Sequence, residues 1–228
     1  MEDQVEKVFE IPWVNIPVTN TVIMCWIAMA VIIVWAFVST RRLKTVPKGA
    51  QSSAEVVVEL INNFAKSIMG EHGKQFAAYL GTIGLFLFIS NTIGALFVGH
   101  FTNFVVSPLT RDFPIPVALA IMTIVIVIGT GIAKKGIGGF IKSLFKPIWI
   151  MFPFKLLEFV IKPLSLSMRL YGNILGAFIL MELIVEGIPL LFPSIACMYF
   201  DLFDGALQAF VFVLLTALYI SEETEIEE

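Results

Sequence analysis

The chain has 228 residues, 58% of them hydrophobic and only 14% charged, with a mean hydropathy of +0.91. A soluble domain of this length carries about a quarter charged residues, so these figures exclude a water-soluble globular protein and describe a polytopic membrane protein. The formal net charge of −3 then says little about partners; where the charges sit says more.

The chain starts acidic, Met1-Glu-Asp-Gln-Val-Glu-Lys7, without the basic stretch that opens a secretory signal. Residues 21–40 are apolar and long enough to span a bilayer. Arg41, Arg42, Lys44 and Lys48 follow at once and place this end in the cytoplasm by the positive-inside rule. The N-terminal segment, 1–20, is then expected outside. Within 51–70, Val56, Val57, Leu60, Ile61, Phe64 and Ile68 recur among Glu55, Glu59, Asn62, Asn63 and Lys66. That spacing predicts an amphipathic helix on the cytoplasmic membrane surface or against the bundle.

A second span is expected over 76–98, with Ser90 and Asn91 toward its outer end, followed by a loop holding His100, Arg111 and Asp112. The third span, 117–133, ends at Lys134, Lys135 and a glycine-rich turn, and Lys142 and Lys146 mark that loop as cytoplasmic. Residues 148–162 are apolar but short, with Pro153, Lys155 and Glu158 inside, which fits a re-entrant or interfacial hairpin better than a crossing. An outward helix over 163–187 and a returning one over 193–221 complete the count, leaving the acidic end, Glu222 to Glu228, in the cytoplasm. The expected fold is all-α: about five transmembrane helices, a hairpin and an amphipathic surface helix, with no competing strand pattern. No internal repeat of the transporter kind is visible.

The helix over 163–187 carries Arg169 well inside its apolar run. A charge at membrane depth costs roughly 2.5–3.5 kcal/mol on insertion scales and marks a functional position by default. The guanidinium cannot escape that cost by losing its proton. At about 100° per residue, Ser165, Arg169, Gly172, Asn173 and Gly176 share one side of the helix. Small residues let another backbone approach in lipid, so this is a docking face with a fixed cation. The plainer reading is a structural cation paired with Asp201 or Asp204 of the last helix.

The last helix holds Asp201, Asp204, Gly205 and Gln208 on one face, extended by Thr216 and Tyr219 toward the cytoplasm. This stripe is an ion-path candidate, or, for its aspartates, an aqueous helix end. Glu182 and Glu186 stand four apart, on a different face from Arg169; they line an entry from outside or mark a solvated end. Glu158 and Lys162, also four apart, are either an interfacial ion pair or the mouth of a cytoplasmic path with Ser165 and Asn173. His72 and His100 stand without ligand-spaced partners, and Cys25 and Cys197 read as small buried residues rather than a disulfide. No metal site, phosphate-binding glycine loop, catalytic triad or nucleic-acid patch is present in the sequence.

The string Pro163-Leu-Ser-Leu-Ser-Met-Arg-Leu-Tyr-Gly-Asn173 closely resembles the core motif of subunit a of F-type ATP synthases, the stator channel facing the rotating ring of c subunits. Gln208 to Ser221 resembles the terminal helix of that family, Ser90-Asn-Thr-Ile-Gly94 its second-span pattern, and Lys135 to Phe140 its cytoplasmic loop. The resemblance implies a non-catalytic, ion-translocating component of a bacterial cell membrane, without a cofactor of its own. Its implied partners are the c ring, the peripheral-stalk b subunits, the remaining complex and lipid. Arg169 then corresponds to the essential arginine between two half-channels, with Asn173 and Gln208 beside it. Two positions depart from the family. Phe178 stands where a glutamate is common, and Asp201 where some members have a histidine. The outer path is therefore expected to run through Glu182, Asp201 and Asp204, with Asn91 and Asp112 as further candidates. The rivals are a self-contained cation antiporter, which needs its own mid-membrane carboxylate, and an assembly factor with a structural arginine.

Overall fold

A computed structural model of the chain describes residues 7–11, 16–41, 43–97, 113–145, 152–187, 203 and 205–224. Two short strands, β1 (Lys7–Ile11) and β2 (Ile16–Thr19), pair antiparallel. The described residues then form α1 (Asn20–Thr40), α2 (Ala50–Met69), α3 (Gly73–Phe97), α4 (Pro114–Leu144), α5 (Phe152–Gly187) and α6 (Gly205–Thr224). The membrane body is all-α, as its composition requires: in lipid every backbone group must be satisfied internally. The small hairpin before α1 is an addition that the sequence reading did not anticipate.

Among the described residues, four stretches are long and apolar enough to cross a membrane: Thr21–Thr40, Ala50–Ile93, Pro114–Lys142 and Gly205–Thr224. In α1, Ile33, Val34 and Phe37 are about two-thirds exposed, at 66%, 60% and 63%. A helix apolar on nearly all sides is at home only in lipid or a core. The amphipathic helix α2 packs on α1, α3 and α6, burying Ala65 and Met69, and a single 3-10 turn, Gly70–His72, carries the chain into α3. Of its two expected locations, α2 therefore takes the one against the bundle.

The core is built on α3. Toward one end, Ala65 and Met69 of α2 pack with Ala77 and Leu80 of α3, Val127 of α4, and Ala217 and Ile220 of α6. Further along, Ile83 and Leu87 of α3 pack with Ala120 of α4, Leu166 of α5, and Ala209 and Phe212 of α6. Small residues set the spacing. A Cβ at Gly205 would lie 2.9 Å from the Asn91 Cβ, and the Asn91 Nδ2 donates to the Gly205 carbonyl at 3.2 Å. Gly205→Val is therefore expected to push α6 off α3 at a cost of about 1–3 kcal/mol. Thermal denaturation of the purified complex reads this directly; an unchanged midpoint contradicts so close an approach.

One boundary falls near the expected one and one differs. At Gly136 the backbone leaves helical geometry, at φ 71°, ψ 161°, so the stretch given as α4 is two helices meeting at a kink just past the expected end of the third span. Positive φ costs residues with a Cβ but not glycine. Past this break the helix resumes, and the Phe140 ring reaches back to within 2.8 Å of where a Gly131 Cβ would stand. The boundary that differs is in α5, which continues through Pro163. Proline lacks the N–H and crowds the carbonyl four residues back, yet helix-breaking residues are tolerated at membrane depth where neighbours pack against them. Here Lys162 and Leu166, on either side, are buried at 7% and 2% exposure. The expected hairpin over 148–162 is thus not a separate element: 148–151 lie outside the described residues, and 152–162 are the first turns of the arginine helix.

Candidate functional site

Arg169 stands near the middle of α5, a helix of 36 residues and so about 54 Å long. Before Arg169, the packed side of α5 is defined by three contacts, from Phe159, Lys162 and Leu166. Phe159 meets Phe140 of α4 in a tilted arrangement at 6.0 Å, while Tyr171, on the opposite side by helical count, meets Phe113 edge-on at 5.3 Å. Lys162 reaches α6, and Leu166 enters the second core cluster. Ser165, Met168 and Gly172 are exposed instead. By helical count Arg169 lies at the border between the two sides, and it is exposed. No described carboxylate pairs with it. Gly172 and Gly176, one and two turns along, have nothing among the described residues within 4 Å of a Cβ position. The result is a fixed cation beside a bare strip of backbone open to a neighbour. Asn173 is on the same helix by its backbone; its side chain lies outside the described ones.

A second constellation lies at the cytoplasmic end expected from the sequence. Lys162 Nζ is 2.8 Å from Glu158 Oε1 on its own helix and 2.7 Å from Glu222 Oε2 on α6. The same ammonium lies 5.1 Å from the Tyr219 ring centre, within cation–π range. Beside it, Lys135 Nζ of α4 meets Glu223 Oε2 at 3.3 Å. The pairing of Glu158 with Lys162 was legible at i, i+4. Glu222 and Glu223 were read only as part of an acidic tail; they continue α6 and tie it to both neighbours. Their signal in the sequence was the two lysines facing them from segments already expected to end on the same side.

A third set is buried between α3, α4 and α6. Gln208 and Asn91 are 2% and 3% exposed. The hydroxyls of Ser90 and Thr216 are buried with no hydrogen-bond partner among the described residues, while the Tyr79 hydroxyl and Thr123 Oγ1 are 3.4 Å apart. Buried polar groups in a membrane helix bundle are costly and accordingly few. Tyr79 and Thr123 were missed because each is a lone polar residue in an apolar run.

The structure brings together Glu158, Lys162 and Tyr219, and places Asn91 against the start of α6. It sets Arg169 and Ser165 on the exposed strip of α5. Glu182 and Glu186 belong to α5 by their backbone, with side chains outside those described. Asp112, Asp201 and Asp204 lie outside the described residues, so the pairing of Arg169 with either aspartate of the last helix does too. Among the described residues no three His, Cys, Asp or Glu side chains form a metal-binding group.

A family profile described as ATP synthase A chain matches residues 22–221. The chain belongs to the ATP synthase subunit a family. It is 34% identical over 212 residues to the sodium-ion-specific ATP synthase subunit a of Propionigenium modestum, covering 90% of this chain and 73% of that one. It is also 34% identical over 206 residues to ATP synthase subunit a of Moorella thermoacetica, covering 90% and 91% respectively. Membership makes the chain an ion-transporting membrane component of an ATP synthase complex, itself non-catalytic. The matched region includes α1 through most of α6, so Arg169 and the buried set around Gln208 all fall within it.

Proposed function

We propose that this chain is the stator ion channel of a rotary ATP synthase, with two half-channels that pass protons to and from c-ring carboxylates and Arg169 between them. The observation that carries the reading is the exposed Arg169 beside the Gly172 and Gly176 backbone, on a helix that packs on α4 and α6 by one side. A ring carboxylate that is neutral when loaded can turn through lipid. Facing Arg169 it is drawn into the charged form, because a close opposite charge in low dielectric lowers its pKa. The ion leaves to one side and another arrives from the other. Since the guanidinium keeps its proton, it also bars a direct leak. Each charge crossing yields about 2.3 kcal/mol per 100 mV, delivered by rotation to the catalytic head.

The cytoplasmic mouth in this scheme is formed by Glu158, Lys162, Ser165 and Tyr219. The outer path uses Asn91, Asp112, Glu182, Asp201 and Asp204, with Asn173 and Gln208 beside the arginine. The c ring, the b subunits and the rest of the complex are its partners in a bacterial cell membrane. The basic clusters at Arg41–Lys48 and Lys134–Lys146 put the N-terminus outside and the C-terminus in the cytoplasm.

Phe178 cannot exchange a proton, so the outer path needs acids elsewhere. Glu182→Gln and Asp201→Asn are each expected to slow ATP synthesis several-fold in membrane vesicles, and the double variant more. Phe178→Glu is expected to recover part of the loss in Glu182→Gln by returning a titratable group one turn away. Wild-type rates in the double variant would remove both acids from the path. A sodium-coupled version is the second reading, favoured by the similarity to the sodium-specific relative. Synthesis driven by an imposed proton gradient in sodium-free buffer supports protons; strict dependence on added sodium supports the alternative.

A further inference from the structure

We infer that Lys162 is a positioning residue: bridging Glu158 and Glu222 beside Pro163, it fixes the rotation of α5 and so the direction in which Arg169 points. This rests on the stator reading of Arg169 and gives Lys162 a second part beside its place at the cytoplasmic mouth.

The geometry has three elements. The first is a weak point. Pro163 removes one backbone hydrogen bond from α5, so the segment beyond it, which includes Arg169, is held less firmly to the segment before it. The second is the clamp at that point. Lys162 is only 7% exposed, and its ammonium sits between Glu158 at 2.8 Å and Glu222 at 2.7 Å, over the Tyr219 ring at 5.1 Å. Two of its three partners belong to α6, so the contact ties one helix to the other rather than decorating a surface. The last turn of α6 is itself anchored, because Glu223 holds Lys135 of α4 at 3.3 Å.

The third element is register. Lys162 and Arg169 are seven residues apart, two turns or about 10.5 Å, and differ by only about 20° around the axis. Because α5 stays helical through Pro163, a rotation that releases Lys162 turns Arg169 in the same sense. At a helix's outer radius of ~5–6 Å, a twist of ~20° moves a side chain by ~2 Å. That is the difference between ion-pair reach and none. Arg169 stands where the packed side of α5 gives way to the open one, so a small rotation either buries it against α6 or turns it toward lipid.

Lys162→Gln is the variant to use, because it leaves no buried charge unpaired. The side chains of Glu158 and Glu222 are 43% and 56% exposed and keep their solvation, whereas removing the acids would strand a buried ammonium. The complex is expected to assemble at normal levels, with ATP synthesis in vesicles reduced about five-fold or more, and Lys162→Arg restoring most of it. The decisive readout is a distance. Nitroxides at Met168 and Leu218, both exposed at 54% and 45%, are placed in a background with Cys25 and Cys197 replaced. Their separation in the whole complex is measured by pulsed electron resonance. Lys162→Gln is expected to shift or broaden that distribution, with Lys162→Arg and Lys135→Gln leaving it as in the parent.

An unchanged distribution and rate in Lys162→Gln would overturn the clamp. Equal broadening by Lys135→Gln would overturn it too, since the effect would then be general loosening of the bundle. If Arg169→Ala abolishes synthesis while Lys162→Gln changes nothing, only the clamp fails. If Arg169→Ala itself synthesises ATP normally, the stator reading has failed instead.

Discussion

Arg169→Ala is expected to abolish ion-driven ATP synthesis while the complex still assembles. The structural half of this expectation follows from exposure. Arg169 is not part of the core and pairs with no described acid, so its truncation strands no described partner. Substitutions of that kind rarely cost more than about 0.5 kcal/mol of stability. The functional half follows from charge: without a fixed cation nothing draws the ring carboxylate into its ionised form, and nothing separates the two paths. Arg169→Lys is expected to be severely impaired as well. An ammonium lacks the planar fork and loses its proton more readily in low dielectric. Synthesis in inverted vesicles, normalised to assembled complex by immunoblot, measures both. Near-normal synthesis in Arg169→Ala would sink the proposal.

Gly172→Leu is expected to reduce synthesis by at least ten-fold with no loss of stability in this chain. A Cβ at Gly172 or Gly176 meets nothing among the described residues within 4 Å, and leucine is the better helix former by close to 1 kcal/mol. Taken alone, the chain should tolerate or even welcome the change. The penalty arises only if another helix must lie against this strip, where small residues permit backbone approach and a leucine holds it off. The comparison with Gly205→Val is informative, because that substitution is expected to destabilise the bundle itself. Full activity in Gly172→Leu/Gly176→Leu would mean the strip faces lipid and not a partner.

Much of this was legible in the sequence because membrane helices are apolar over long runs, and the exceptions stand out. Arg169, the Glu158–Lys162 spacing and the basic segments after the first and third spans were all such exceptions. Where sequence reasoning failed, local propensity was overruled by packing. Pro163 reads as a helix boundary, but burial of Lys162 and Leu166 around it carries α5 through. The roles of Glu222 and Glu223 were hidden because an acidic end normally reads as solvated, and their lysine partners lie 60 and 88 residues away. The β1–β2 hairpin was passed over because the segment before α1 was weighed only as a targeting signal.

The central claim is that the Arg169 side of α5 faces the rotor, and disulfide cross-linking tests it most directly. In a background with Cys25 and Cys197 replaced, single cysteines are introduced at 172, 173 and 176, and separately at 182 and 186. Each is paired with cysteines along the outer helix of the c subunit in the assembled complex. The account predicts cross-links to the c subunit from 172, 173 and 176, and links only within this chain from 182 and 186. Cross-links to the ring from 182 and 186 alone would contradict it.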